Sequence, residues 1–272
     1  MAGMQPIHSS ATAAITAKVA LFDADLPRFA VRSILAGVYL TLGTAFAVVA
    51  GNAVEVLAPG LGGVVFALLF GLGLFSIVVL DSELVTGNMM SMSYGVVARL
   101  VSVPKALWLL VVCTVFNLVG ALLVGLALGQ AAKFSGLTPD HLLGVLTAGK
   151  LVKGPALVEA ILANFVVNMG ILAALRTPDI TAKFFSIVPL IAIFVGLGLE
   201  HVVANFSLFS LALFSVPSVL SAPAVALNWS VVWLGNLIGG GLLIGGVYAW
   251  LAGGEADAEA PVRSPATPGR PG

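Results

Sequence analysis

The sequence predicts an all-α integral membrane protein of six transmembrane helices, and its composition and hydropathy pattern both support this fold class. Of its 272 residues, 60% are hydrophobic and only 9% are charged, a balance that a water-soluble domain of this length could not bury in one core. Six apolar runs approach the length of about 20 residues that a helix needs to cross a bilayer. These runs are continuously apolar and do not alternate, which disfavours a β-barrel.

The six predicted spans lie between two more polar ends. They cover residues 33–50, 62–80, 106–128, 157–175, 184–199 and 229–251. Residues 1–28 lack the basic-then-apolar order of a secretory signal, so we expect an uncleaved cytoplasmic segment there. Residues 253–272 contain almost no large apolar side chain, which predicts a disordered cytoplasmic tail. The predicted transmembrane domain therefore covers residues 29–252.

The distribution of Lys and Arg predicts the orientation, because basic residues are retained on the cytoplasmic side during insertion. With both termini inside, nine of the 12 basic residues fall in inner segments and three in outer connections. The count predicts a multi-pass protein of the cell's inner (plasma) membrane with both termini in the cytoplasm. The basic residues form no stripe, which argues against a nucleic-acid partner. The single cysteine, Cys113, lies in an apolar run and permits no disulfide within the chain.

A polar motif occurs twice in segments that should lie at membrane depth. Glu83 and Asn88 follow the second apolar run, and Glu200 and Asn205 follow the fifth with the same spacing. Charges in lipid cost at least a few kcal/mol each, so those present usually face a cavity or a partner. A second apolar run continues each span, which predicts that helices 2 and 5 are broken and related as an inverted pair. We expect a pore to pass between the two joints.

His201 lies at the second joint, and the inverted pairing places it opposite Thr86 of the first joint. Imidazole titrates near neutral pH in water, so His201 is the group best suited to exchange a proton with a passing solute, and we predict that it lines the pore. Glu83 and Glu200 are predicted to be structural, accepting hydrogen bonds from backbone N–H groups freed at the breaks.

At these residues the sequence resembles the formate/nitrite transporter family. Ser82-Glu-Leu-Val-Thr-Gly-Asn88 is similar to the loop of the family's second helix, and Glu200-His-Val-Val-Ala-Asn205 to the segment of its fifth. Further likeness lies at Leu35-Ala-Gly-Val-Tyr, Ala163-Asn164 and Gly235-Asn-Leu-Ile-Gly-Gly-Gly241, and in all it covers about residues 27–250. Val85 in place of the family's loop Phe, and Asp81 at a position that is usually small and uncharged, depart from the pattern.

The resemblance implies an aquaporin-like fold that assembles as a homopentamer with one pore in each protomer. It implies that His201 is the central pore histidine, that Thr86 faces it, and that Asn164 and Asn205 lie near the pore. It also implies a lysine in the outer vestibule, for which Lys150 and Lys153 both remain candidates. The implied hydrophobic constrictions fall on Phe70, Leu74, Val85 and Phe194.

These residues together predict transport of small monovalent anions, formate or nitrite, with protons. Bare anions cross a dry apolar constriction poorly, whereas neutral acids cross it easily. We expect a vestibule lysine to concentrate the anion, the apolar rings to exclude water, and His201 to donate a hydrogen bond or a proton. The sequence leaves formate, nitrite, hydrosulfide, acetate and lactate all possible as the physiological anion.

Three other functions are less consistent with the sequence. A water or glycerol channel of aquaporin-like type is the nearest alternative, but neither joint carries an Asn-Pro-Ala motif. A membrane hydrolase would need an activated nucleophile, and no Gly-x-Ser-x-Gly motif occurs. A metal enzyme would need more ligands than one intramembrane histidine and separated carboxylates provide. We therefore predict no catalytic residues, metal or cofactor, and the surrounding lipid and small anions as partners.

Overall fold

The computed structural model describes residues 7–151 and 154–259, and these contain helices and no strand. The first half comprises α1 (Ile7–Ala24), α2 (Leu26–Leu57), α3 (Gly62–Val79), α4 (Val85–Val97) and α5 (Val103–Gly129). The second half comprises α6 (Leu142–Leu151), α7 (Ala156–Leu175), α8 (Ile180–Gly196), α9 (Val202–Ser215) and α10 (Ala222–Asn236). A π-helical segment, Leu237–Gly246, continues α10 into α11 (Val247–Glu259).

Five of the spans contain a helix long and apolar enough to cross a membrane, and the remaining span consists of two shorter apolar helices. The five are Leu26–Leu57, Gly62–Val79, Val103–Gly129, Ala156–Leu175 and Ala222–Gly253. The fifth predicted span is the pair α8 and α9, both shorter apolar helices. The six-span, all-helical fold class predicted from the sequence is thus confirmed, with helices 2 and 5 broken into α3–α4 and α8–α9.

Several boundaries differ from the prediction. The first span runs from Leu26 to Leu57 and is longer than predicted at both ends. At its start, the side chain of Asp25 caps α2 by accepting the N–H of Arg28 at 3.0 Å. Helix α1 lies within the segment predicted only as a cytoplasmic end, and α6 lies in a predicted connection. The last helix continues to Glu259, past the predicted end at 252, and the rest of the predicted tail lies outside the described residues.

Both breaks are shorter than the motifs suggested. Helix α4 begins at Val85 and α9 at Val202, so the polar motif residues from Thr86 to Asn88, and Asn205, lie in the first turns of these half-helices. Five residues separate the end of α3 from the start of α4, and the same number separates α8 from α9. The equal spacing indicates that the two breaks are built in the same way.

Glycine residues let the outer helices of the first half pack closely. A Cβ atom at Gly37 of α2 would collide with the backbone of Asn117 in α5, and one at Gly120 of α5 would collide with the backbone of Ile34 in α2. Small residues at helix contacts are typical of membrane proteins, where packing rather than the hydrophobic effect holds helices together. This close packing brings α5 within reach of the break between α3 and α4.

Candidate functional site

The two breaks meet at His201 and Thr86. His201 Nε2 lies 2.9 Å from Thr86 Oγ1, and both residues are buried. His201 Nδ1 accepts the N–H of Ala204 at 3.2 Å, which caps α9 and fixes the neutral tautomer with the proton on Nε2. The Nε2–H group therefore donates to Thr86, and the hydroxyl proton of Thr86 is left available for a third partner. The pair predicted from the sequence is in contact in the structure.

Two cavities approach this pair from opposite directions. We call them the Lys150 cavity, of about 280 Å³, and the Lys18 cavity, of about 260 Å³. Helix α3 runs from one to the other, because Phe66 and Phe70 line the Lys150 cavity, and Leu74 and Ile77 line the Lys18 cavity. The contact between His201 and Thr86 lies between the two cavities.

Aromatic rings separate His201 from the Lys150 cavity. The ring centroid of Phe194 lies 5.7 Å from that of His201, and Phe70 meets Phe194 edge-on at 5.8 Å. Both rings are buried and both line the cavity. Of the other two predicted constriction residues, Leu74 lines the Lys18 cavity, and Val85 is fully buried and lines neither cavity.

Each cavity contains a lysine paired with the glutamate of the nearby break. Lys150 Nζ lies 3.0 Å from Glu200 Oε1, and Lys18 Nζ lies 2.6 Å from Glu83 Oε2. Lys150 also donates to the carbonyls of Gly198 and Leu199, at 3.1 and 2.8 Å, which satisfies acceptors left open at the end of α8. Of the two candidates for the vestibule lysine, Lys150 lines this cavity, and Lys153 lies outside the described residues.

The side-chain amides of Asn88 and Asn205 complete the coordination of the two glutamates. Asn88 Nδ2 donates to Glu83 at 3.0 Å, and Asn205 Nδ2 donates to Glu200 at 2.6 Å. Asn228 donates to Glu200 as well, at 3.2 Å. We expected backbone N–H groups as partners of these carboxylates, whereas the hydrogen bonds described here come from side chains. The reason is that each half-helix already restarts two residues after its glutamate.

Asn164 holds the backbone at Thr86 and does not line either cavity. Its Nδ2 donates to the carbonyls of Thr86 at 3.2 Å and Asn236 at 2.8 Å, and Asn168 donates to the same Thr86 carbonyl at 3.3 Å. Gly240 of the π-helical segment allows this arrangement, because a Cβ there would collide with both amide groups. Asn205, in contrast, lines the Lys150 cavity beside Glu200.

Lys18 was not identified as a site residue from the sequence. It was counted only as one of the basic residues of the cytoplasmic side, because it lies far from the polar motifs along the chain. A usable signal was present, since Lys18 is the only charged residue between Ile15 and Phe22. In the structure its side chain is about one-quarter exposed and reaches the break that holds Thr86.

The geometry of two half-helices around a central histidine can be compared with known proteins. The model of the formate/nitrite transporter family matches residues 5–250. The chain belongs to the formate/nitrite transporter family. It is 34% identical to the formate channel BtFdhC of Bacillus thuringiensis over 244 residues, which cover 86% of this chain and 90% of that protein. It is 32% identical to the nitrite transporter NirC of Salmonella typhimurium over 256 residues, 92% of this chain and 93% of that protein.

A solved structure supports the same assignment. A protein described as an FNT family ion channel superposes with a TM-score of 0.83 at 28% identity, over 90% of this chain and 98% of that chain. The family resemblance and the fold class read from the sequence are therefore confirmed, and this chain is an integral membrane protein of the formate/nitrite transporter family. The comparisons do not favour the alternative of a water or glycerol channel.

Proposed function

We propose that this member of the formate/nitrite transporter family moves small monovalent anions, formate or nitrite, through one pathway in each protomer. The observation that carries the proposal is the contact between His201 and Thr86 between two cavities, with rings of Phe70 and Phe194 beside it. The relatives that align over most of the chain are described as formate channels and nitrite transporters. They support the choice of anion.

The proposed pathway first concentrates the anion and then removes its water. The ammonium groups of Lys18 and Lys150 line the two cavities and offer a donor to an entering anion, and the paired glutamates offset the charge of both lysines. The phenylalanine rings leave no polar partner for a bare anion, which favours passage of the neutral acid. An anion in a cavity that takes a proton from water can pass the rings as the neutral acid and release that proton on the other side.

His201 and Thr86 provide the polar contacts at the narrowest point. The hydroxyl proton of Thr86 is available to a carboxylate or nitrite oxygen, and the Nε2–H of neutral His201 can exchange Thr86 for the same oxygen when the anion enters. Proton transfer from His201 itself requires the imidazolium form, which would lose the hydrogen bond from the N–H of Ala204. We propose that His201 acts mainly as a hydrogen-bond donor and that pH sets the fraction of acid available for passage.

We also propose a homopentamer in the inner membrane with both termini in the cytoplasm. A solved chain described as a pentameric formate channel with formate bound shares the fold, with a TM-score of 0.67. The bias of basic residues supports the orientation. In that orientation the Lys18 cavity opens to the cytoplasm and the Lys150 cavity to the outside.

Uptake by sealed proteoliposomes tests the function. Formate, nitrite, hydrosulfide and lactate are compared under an imposed pH gradient, for the wild type and for His201→Phe and Thr86→Val. Loss of a hydrogen bond to a charged group costs about 1.5–3 kcal/mol, so we expect about ten- to hundredfold slower formate or nitrite uptake in both variants.

The matched control is Thr41→Val, which removes a buried hydrogen bond to Ser207 of 2.9 Å between α2 and α9, and neither residue lines a cavity. We expect the control to keep near wild-type uptake. Wild-type protein that moves no small anion faster than empty vesicles would overturn the proposed function. Normal uptake in His201→Phe would overturn the role of His201.

A further inference from the structure

Asn117 of α5 ties the first break to its neighbours through three hydrogen bonds. Its Oδ1 accepts the N–H of Val85, the first residue of α4, at 2.9 Å. Its Nδ2 donates to the carbonyl of Glu83 at 2.9 Å and to the carbonyl of Ser33 in α2 at 2.7 Å. The side chain is fully buried. One amide therefore joins the end of the break and the start of α4 to the first membrane span of this half, α2.

Asn236, the last residue of α10, makes the same three hydrogen bonds at the second break. Its Oδ1 accepts the N–H of Val202, the first residue of α9, at 2.8 Å. Its Nδ2 donates to the carbonyl of Glu200 at 3.0 Å and to the carbonyl of Ala160 in α7 at 2.8 Å. This side chain is also fully buried. Asn117 and Asn236 are thus equivalent in the inverted repeat, and each is followed by Leu, a β-branched residue and Gly, in Asn117-Leu-Val-Gly120 and Asn236-Leu-Ile-Gly239.

The two amides determine where the central pair lies. His201 is the single residue between the two backbone groups that Asn236 binds, those of Glu200 and Val202. Thr86 directly follows Val85, whose N–H is bound by Asn117. The 2.9 Å contact between His201 and Thr86 therefore forms between two residues whose neighbouring backbone groups are bound by Asn236 and Asn117.

The residues at the equivalent positions of the repeat are apolar. Leu84 lies between the backbone groups bound by Asn117 and is the counterpart of His201. Val203 follows Val202 and is the counterpart of Thr86. The same backbone geometry thus presents one donor pair and one apolar pair.

We propose that Asn117 and Asn236 are a matched pair of positioning residues for transport, Asn117 acting through Thr86 and Asn236 acting through His201. Neither residue lines a cavity, so neither is expected to touch the anion. The expected effect on transport rests on the proposed function. The expected effect on the position of His201 rests on the hydrogen bonds alone. Misplacement of a contact group by about 1 Å can slow a reaction by up to about a hundredfold.

The experiment compares Asn117→Ala and Asn236→Ala with Thr41→Val, which removes a buried hydrogen bond to Ser207 between two side chains that line neither cavity. We expect each alanine variant to lower the maximal rate of formate uptake at least about tenfold while the half-saturating concentration changes less than about twofold, because the lysines of both cavities remain in place. The control should leave both values near those of the wild type. Wild-type kinetics in either alanine variant would overturn the proposal.

A second measurement is independent of transport. In a background with His8→Gln and His141→Ser, His201 is the only histidine, and its ring nitrogens can be observed by ¹⁵N NMR in lipid. We expect both alanine variants to shift or broaden the Nε2 signal and Thr41→Val to leave it unchanged. An unchanged Nε2 signal in the alanine variants would overturn positioning even if uptake fell. A wild type without transport would refute the proposed function but leave this measurement valid.

The alanine variants could fail to fold, so Asn117→Asp and Asn236→Asp form a second pair. They keep the oxygen that accepts the half-helix N–H and lose the two donors. Variants of either pair that elute as the wild type on size exclusion are used for both measurements. Failure of all four variants to fold would overturn the proposal, because the two residues would then be needed for the fold itself.

Discussion

Helices α3 and α8 end at the two breaks through the same backbone hydrogen bond. The N–H of Ser82 bonds to the carbonyl of Ile77 at 2.9 Å, and the N–H of Leu199 bonds to the carbonyl of Phe194 at 3.1 Å. The residue before each donor has a left-handed conformation, with φ of 51° at Asp81 and 68° at Gly198. This pattern is the one that commonly ends helices with a glycine. Asp81 therefore occupies a position that favours glycine, and its left-handed conformation costs backbone free energy.

Substitution of these two residues should change stability in opposite directions. A non-glycine residue in the left-handed region costs about 1–2 kcal/mol, and somewhat less for Asp. We expect Asp81→Gly to raise the midpoint of thermal unfolding in detergent, and Gly198→Ala to lower it, each by an amount corresponding to about 1 kcal/mol. A lower midpoint for Asp81→Gly would show that the Asp81 carboxylate makes a stabilising contact that exceeds the backbone cost.

Among the elements, α6 is the short helix that brings Lys150 to its cavity. Asn52 Oδ1 accepts the N–H of Leu142 at 2.9 Å, and His141 Nδ1 accepts the N–H of Leu143 at 3.1 Å. The cap requires neutral His141, because a protonated ring has no acceptor. Desolvation lowers the pKa of His141 from its ordinary value of 6.5, and neighbouring Asp140 opposes part of that shift. Helices α9 and α10 pack on α6 and carry no titratable side chain. Helix α2 also packs on α6, and its Glu55 accepts hydrogen bonds from the N–H groups of Gly60 and Gly62.

Acid should therefore loosen α6. Because the folded form binds the proton less readily than the uncapped form, the stability given by the cap is complete above pH 6.5 and is lost as pH falls below that value. We expect amide hydrogen exchange in α6 to rise between pH 7.5 and 5.5, after correction for the intrinsic pH dependence of exchange. His141→Ser keeps a capping acceptor without titration and should remove this additional rise. Equal protection of α6 at both pH values in the wild type would contradict the cap.

Sequence patterns predicted the long elements better than the short ones. The six spans were identified because continuous apolar length reports directly on the bilayer. Helices α1 and α6 were missed because neither is long and apolar enough to span, and both are stabilised by contacts with distant residues, such as the cap from Asn52. The half-helices begin inside the predicted loops because side chains from other helices satisfy their first N–H groups, as Asn117 does for Val85.

For the whole molecule, symmetry determined which site residues were visible in the sequence. Glu83 and Glu200 were found because the repeated motif places them at matching positions, and Thr86 and His201 because they lie within the same two motif segments. Lys18, Asn117 and Asn236 were not assigned to the site, because their partners lie in other helices. The repeated Asn-Leu-Val/Ile-Gly pattern at Asn117 and Asn236 marks an equivalence between the halves but does not show what the amides bind. Local pattern thus identifies the breaks, while the groups that hold them depend on tertiary packing.

The inverted arrangement makes a testable prediction about sidedness. In a Cys113→Ala background, a new cysteine is placed in each cavity, by Gly63→Cys in the Lys150 cavity and by Asp81→Cys in the Lys18 cavity. Both positions are exposed, and a Cβ at Gly63 meets open space. With both termini in the cytoplasm, a membrane-impermeant thiol reagent should label Gly63→Cys in intact cells and Asp81→Cys only in inside-out vesicles.

The rings of Phe70 and Phe194 should prevent the reagent from crossing between the cavities, so each cysteine is expected to react from one side. Reaction of both cysteines from the same side would contradict cavities that open to opposite faces of the membrane. The reversed pattern would keep the inverted repeat and place the termini outside. Gly63 lies at the start of α3, and Asp81 lies two residues past its end. The two cysteines are therefore near opposite ends of one helix and line different cavities, so the comparison tests the arrangement of the two halves.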